Sequence, residues 1–353
     1  MVLELFLKKI IILFIVCSII LIAFYLYLKP EKNRSLAELQ LESVIHSSEK
    51  NTKQNLSEAS SRNNVILVKS LQDFIEKAPF KQEDTYSILA RNPENNQKYL
   101  IEFSNLINQK ILKNSQLSNN EKAETLWKMF KEYNWIGEDN AFKAITKDNL
   151  MYLKNQSLIP EITKTYDDIS TLGEKSVNAR HDLLEIINSV DIEPKHTNNQ
   201  LVIEMLRSDL KAINGRSEAQ NLSDMAITML YDYGKSEEVD TIPDIVQAAN
   251  NNTQASLSYM NSALKLTLVD TDTNQLKNLL QSNMSQSTRD DLNHTISFNL
   301  KEDGNIPIRT IDQKTLVILD QYLNNELSNS TETKKDVNLQ QVYGAINLAL
   351  KNN

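Results

Sequence analysis

Residues 221–252 read NLSDMAITMLYDYGKSEEVDTIPDIVQAANNN, and residues 253–283 read TQASLSYMNSALKLTLVDTDTNQLKNLLQSN. Each stretch starts on small polar residues, enters an apolar helix, passes a polar acidic turn and continues into a second apolar helix. A third stretch, STRDDLNHTISFNLKEDG at 287–304, repeats the first half of this pattern. Met229 aligns with Leu266, 37 residues on, and Leu266 with Leu300, 34 residues on. A drifting period of this length belongs to helix pairs stacked in an array. Residues 175–212 form a looser pair of the same kind.

Across residues 175–304 the pattern resembles HEAT-like repeats. In that family a proline often opens the second helix of a unit, as Pro243 does here. The resemblance implies an α-solenoid of helical hairpins; the alternative architecture is an irregular helical bundle.

Composition points the same way. Glycine totals 6 and proline 7 in 353 residues, while 41% are hydrophobic. A β-rich or α/β fold of this size needs many more turn residues. The expected fold class is all-α. Leu67, Leu71, Phe74, Ile75 and Ala78 follow helical spacing up to Pro79. Pro93 opens a second helix with Leu100, Phe103, Ile107 and Ile111 on one face. Ser118 and Glu121 have capping-box spacing ahead of Ala123, Leu126, Phe130 and Tyr133. Leu339, Val342, Tyr343, Ile346 and Leu350 mark a last amphipathic helix. The β-branched run at Val65–Val68 belongs to the first of these helices.

The N-terminus is of another kind. Ile10–Leu28 is a run of 19 residues without charge or helix breaker, about the roughly 20 residues that span a bilayer. It ends in Tyr25 and Tyr27, suited to the membrane boundary, and Pro30 stops it. No small-x-small cleavage site follows, and Phe14-Ile15-Val16 before Cys17 is no lipidation signal. Residues 10–28 therefore read as a permanent anchor contacting lipid through Ile10, Phe14, Ile20, Phe24, Tyr25 and Tyr27. Lys8 and Lys9 on one side nearly balance Lys29, Lys32 and Arg34 on the other. A short tail (1–9) before a long domain favours an N-in, C-out orientation. Richness in Asn, Lys and Ile suggests a low-GC bacterial genome. The expected place is then the inner membrane, with a periplasmic C-terminal domain, and the lack of cysteine after Cys17 suits an oxidising compartment. Residues 29–62, polar and without aromatics, read as a tether, followed by a helical region (63–170) and the HEAT-like region (171–353).

The net charge is −8, with +3 on residues 1–34 and so −11 on the rest. That balance disfavours nucleic acid, whose phosphates need clustered Lys and Arg. The four histidines, His46, His181, His196 and His294, are not spaced as metal pairs; His181 and Glu185 make at most one helical contact. Asp270, Asp272 and Asn274 resemble the start of a calcium loop. However, Gln275 and Gln281 stand where its glycine and bidentate glutamate belong, so the stretch reads as an acidic turn capping a helix that contains Leu276, Leu279 and Leu280. Acid pairs at Asp167-Asp168, Glu237-Glu238 and Asp290-Asp291 point apart on a helix. No phosphate loop, nucleophile elbow or zincin motif is present. No cofactor, metal or catalytic residue is expected. Trp127 and Trp135 are candidate interface anchors, with core packing the stronger reading for them.

The expected function is that of a membrane-anchored, non-catalytic scaffold that binds protein partners through an acidic helical domain. The alternative is a membrane-tethered periplasmic foldase. The anchor, linker and helical domain are similar in layout to the lipase-specific foldases. The nearest string to that family's Arg-x-x-Phe-Asp-Tyr motif is Leu230-Tyr231-Asp232-Tyr233, which lacks the arginine and lies late in the chain.

Overall fold

The computed structural model describes residues 56–78, 93–132, 141–212, 220–270, 273–300, 305–329 and 336–352. The expected anchor at 10–28, with Ile10, Phe14, Ile20, Phe24, Tyr25 and Tyr27, lies outside them, as does most of the expected tether. Among the described residues no helix is long and apolar enough to cross a membrane.

The all-helical expectation is met: the described residues hold fourteen α-helices and no strand. They are α1 (Leu56–Glu76), α2 (Pro93–Ile107), α3 (Asn119–Glu132), α4 (Ala141–Leu153), α5 (Ile159–Ser170), α6 (Val177–Asn188) and α7 (Thr197–Ala212). After these come α8 (Gln220–Ser236), α9 (Ile242–Asn251), α10 (Ser256–Val269), α11 (Thr273–Gln281), α12 (Gln286–Asn299), α13 (Gln313–Asn329) and α14 (Val337–Asn352).

The chain divides into two compact units, Met1–Ser70 and Leu71–Asn353, and α1 runs through the boundary. In the first unit α1 begins at Leu56, inside the stretch expected to be tether. An established helix propagates through a polar sequence at little cost, so the missing apolar pattern did not mark the start. Leu67 and Val68 are buried, and the Ser70 hydroxyl donates to the Ile66 carbonyl at 2.9 Å.

The second unit is built from the apolar stripes. Leu71, Phe74, Ile75 and Ala78 are buried, as are Phe103 and Ile107 of α2. A π-turn at Asn108–Leu112 follows α2. Steps of four residues overshoot a 3.6-residue turn; the wider turn offsets that drift and keeps Ile111 buried. Phe74 stacks on Phe103 at 6.0 Å, and Phe103 meets Phe142 of α4 edge-on at 4.9 Å. The capping box forms as expected. The Ser118 amide donates to Glu121 Oε2 at 2.8 Å, and the Glu121 amide donates to Ser118 Oγ at 3.2 Å.

From α4 onward the even-numbered helices pack one on the next, α4 on α6, then α8, α10, α12 and α14. The odd-numbered helices do the same, α5 on α7, then α9, α11 and α13. Successive helices close hairpins, as in α5/α6, α7/α8, α9/α10 and α13/α14. The unit is therefore two layers of helices stacked in chain order, and this order continues on both sides of residues 175–304. α10 is the most enclosed member, packed by α8, α9, α11 and α12. Its buried residues include Tyr259, Met260, Ala263 and Leu264. Helices on several sides leave α10 only a narrow face free of packing, and its buried apolar residues spread around the rest.

Polar side chains tie helices across separations of 35–38 residues, mostly within one layer. Lys147 reaches Asp182, 35 residues away, and Glu185, 38 away. Arg207 reaches Asp244 across 37 residues, Lys235 reaches Asp270 across 35, and Arg289 reaches Glu326 across 37. Partial desolvation acts to lower the Lys147 pKa, but the Asp182 and Glu185 carboxylates outweigh it and hold the ammonium above its usual value. These separations, 35 to 38 residues, lie close to the 34–37-residue spacing of the sequence.

Candidate functional site

The face of α10 opposite its buried side chains carries Gln254, just ahead of the helix, then Leu257, Ser258 and Asn261. Their spacing of three and four residues places them on one stripe. The same layer contributes Gln220 and Ser223 from α8, and His294, Thr295, Phe298 and Asn299 from α12. Together they line a recess of about 440 Å3. The lining is amide, hydroxyl, imidazole and hydrocarbon, without a carboxylate, ammonium or guanidinium. Two apolar side chains stand open in it, Phe298 at 60% and Leu257 at 44% exposure.

The polar groups behind the recess are fixed by cross-helix hydrogen bonds. Asp224 of α8 accepts from the hydroxyls of Ser258, at 3.1 Å, and Ser262, at 2.7 Å. Asn299 is fully buried. Its Nδ2 donates to Asn261 Oδ1 at 2.9 Å and to the Thr295 carbonyl at 3.0 Å, and its Oδ1 accepts from Asn305 at 3.1 Å. Asp224, Asn261 and Asn299 thus link α8, α10 and α12 of one layer at steps of 37 and 38 residues.

Trp127 is not a surface anchor. It is 1% exposed, stacks on Phe130 at 5.7 Å and lies under the Lys131 ammonium. The physical reason is its position next to Leu126 on a helix wedged against α4, where burying the large ring outweighs exposing it. The Lys131 ammonium pairs with Glu161 beside the indole; desolvation pushes that carboxyl up, but the ammonium and the nearby indole bring it below its usual range. Trp135 lies outside the described residues.

The other sequence candidates are structural where described. His181 Nδ1 stands 3.9 Å from Glu185 Oε1, the single helical contact its spacing allowed. Asp270 closes α10 and is tied back to α8. Its carboxylate accepts from the Tyr231 hydroxyl at 2.6 Å and pairs with Lys235 at 2.7 Å, both on α8. Leu276, Leu279 and Leu280 are buried in α11, as their spacing predicts. Tyr231 and Tyr233, in the string nearest the foldase motif, are both buried. Asp167 is held above its usual pKa by desolvation and by Asp209 and Asp168. Among the described residues no group of three His, Cys, Asp or Glu side chains is placed to hold a metal.

The groove itself escaped the sequence reading. The signal was present: Phe298 falls outside the buried Leu292, Ile296 and Leu300 stripe of its helix, an aromatic on the wrong face.

In comparison with known proteins, no family model, no curated protein and no solved structure matches this chain.

Proposed function

We propose that this chain is a single-pass, membrane-anchored scaffold that binds a protein partner through a HEAT-like α-solenoid held outside the cytoplasm. The observation that carries the reading is the groove across α8, α10 and α12, where an amide-lined, uncharged recess exposes Phe298 and Leu257. Stacked helix pairs present extended faces suited to partner chains, and successive packing within each layer supports that architecture. The apolar run at 10–28 supports the anchor, and the polar residues after it support a tether. No catalysis is assigned, since the groove lining offers neither a carboxylate pair nor a nucleophile with an adjacent base.

The test compares the full chain with a version lacking residues 63–353 after mild solubilisation of membranes. The expected result is a partner protein retained by the full chain alone; equal retention by both versions, or by neither, overturns the scaffold reading. Protease added to spheroplasts should digest residues 63–353, and protection of that domain overturns the orientation.

A further inference from the structure

We infer that the groove takes an extended, uncharged peptide segment of the partner, with Asn261 and Ser258 on its main chain and Phe298 and Leu257 around an apolar side chain. This rests on the scaffold reading and narrows its ligand.

The first ground is the orientation of the two polar groups. Both hydrogens of the Asn299 amide are spent, one on Asn261 Oδ1 and one on the Thr295 carbonyl. The Asn261 oxygen therefore faces Asn299, and its NH2 group is left to the recess. Ser258 spends its hydroxyl proton on Asp224, so its oxygen faces the recess as an acceptor. A fixed donor and a fixed acceptor thus stand three residues apart on α10, about 5–6 Å between Cβ atoms. A residue in extended conformation shows its own N–H and C=O on one edge. Its carbonyl suits the Asn261 amide, and its N–H suits the Ser258 oxygen.

The second ground is charge. A charged ligand side chain would lose its water in this recess without meeting an opposite charge, which is costly. An apolar side chain between Phe298 and Leu257 loses nothing and covers both. The Asp224 carboxylate behind Ser258 favours an approaching N–H over an approaching acceptor. The third ground is length. Neighbouring helix axes lie about 8–10 Å apart, so three helices span about 16–20 Å. That is the length of five or six extended residues at about 3.3 Å each. Gln220 on α8 and His294 on α12 lie at the flanks of such a segment.

The experiment uses the full chain in detergent and a random library of nonapeptides blocked at both ends, followed by titration of selected peptides. Selection of uncharged sequences with one central apolar residue is expected. Asn261→Asp keeps the acceptor for Asn299 but turns the groove donor into a charged acceptor. It should weaken binding roughly tenfold or more with an unchanged melting temperature. Phe298→Ala, at an exposed site, should weaken it comparably and covers the case in which Asn261→Asp disturbs the fold. Tyr152→Ala, exposed on α4, should have no effect. Selection of charged peptides overturns the inference, as does binding indifferent to both groove variants. Binding of neutral hexasaccharides in place of peptides also overturns it. A partner that still co-purifies with both groove variants leaves the scaffold reading standing and removes this inference alone.

Discussion

Arg180 of α6 and Asp209 of α7 form a salt bridge at 3.1 Å with almost no access to water, 0% and 3% exposed. Arg180 also donates to Ser176 Oγ and the Gly173 carbonyl, and Asp209 accepts from the Tyr166 hydroxyl at 2.8 Å. Three consecutive helices therefore meet on one buried charge pair. Breaking such a pair strands a charge and costs about 3–5 kcal/mol, whereas replacing both partners with apolar groups of similar volume is often neutral or stabilising. Asp209→Ala should lower the urea midpoint by a corresponding amount, and Arg180→Met with Asp209→Leu should cost less than that single change. A double variant less stable than Asp209→Ala would show that the pair is net stabilising here.

Two glycines make a contrasting pair. A Cβ on Gly234 would meet Thr241 Cγ2 at 2.5 Å and the Val239 carbonyl at 3.0 Å. Thr241 is buried and precedes α9, so it has nowhere to retreat. Gly234→Ala should cost about 1–3 kcal/mol by overpacking. A Cβ on Gly344, within α14, meets nothing within 4 Å. Gly344→Ala should stabilise by about 0.5–1 kcal/mol through helix propensity. Chemical denaturation of the two variants reads both signs directly.

The amphipathic stripes were legible because they are local. Leu71, Phe74 and Ile75, or Leu276, Leu279 and Leu280, need only a count along one helix, and the Ser118–Glu121 box only three residues. The sequence spacing of 34–37 residues lies close to the 35–38 residues that separate Lys147 from Asp182 and Glu185, and Arg207 from Asp244. Arg180 with Asp209 was not legible, since polarity alone predicts a solvated face for both and only packing joins them across 29 residues. The ties of Asp270 were hidden for a similar reason: Tyr231 and Lys235 lie 39 and 35 residues upstream. The groove draws on three helices, and no single window of sequence contains it.

Buried tyrosines set the alkaline limit of this fold. Burial, with the Asp209 carboxylate alongside, raises Tyr166 well above its ordinary value of 10.0. Burial and Asp232 push Tyr233 up to about 12, and burial and Glu326 raise Tyr322. A raised folded-state pKa gives stability that is complete below pH 10 and is lost as pH rises from there through the raised values. Each such group contributes a slope of about 1.4 kcal/mol per pH unit in that window. Ultraviolet titration should show these three tyrosines ionising only with unfolding, after the exposed ones. Tyr166→Phe should make the stability decline above pH 10 shallower, and an unchanged slope would exclude Tyr166 from that effect.

Asp312 sets a corresponding effect on the acid side. It sits just before α13, and its Oδ1 accepts the amides of Lys314, at 2.9 Å, and Thr315, at 3.1 Å, while Oδ2 accepts the Thr315 hydroxyl. The Thr315 hydroxyl and these amides favour the carboxylate over the acid and bring its pKa below the ordinary 3.8. A depressed folded-state pKa gives stability that is present above pH 3.8 and is lost as pH falls through the lowered value. The loss of an N-cap costs about 0.5–2 kcal/mol. Asp312→Ala should therefore cost that much at pH 7, and the gap to the parent chain should narrow once the pH drops below 3.8. Urea midpoints of both proteins measured at pH 7 and at two values below pH 3.8 give the comparison. A gap that stays constant across the acid range would mean that Asp312 caps α13 as well protonated as ionised.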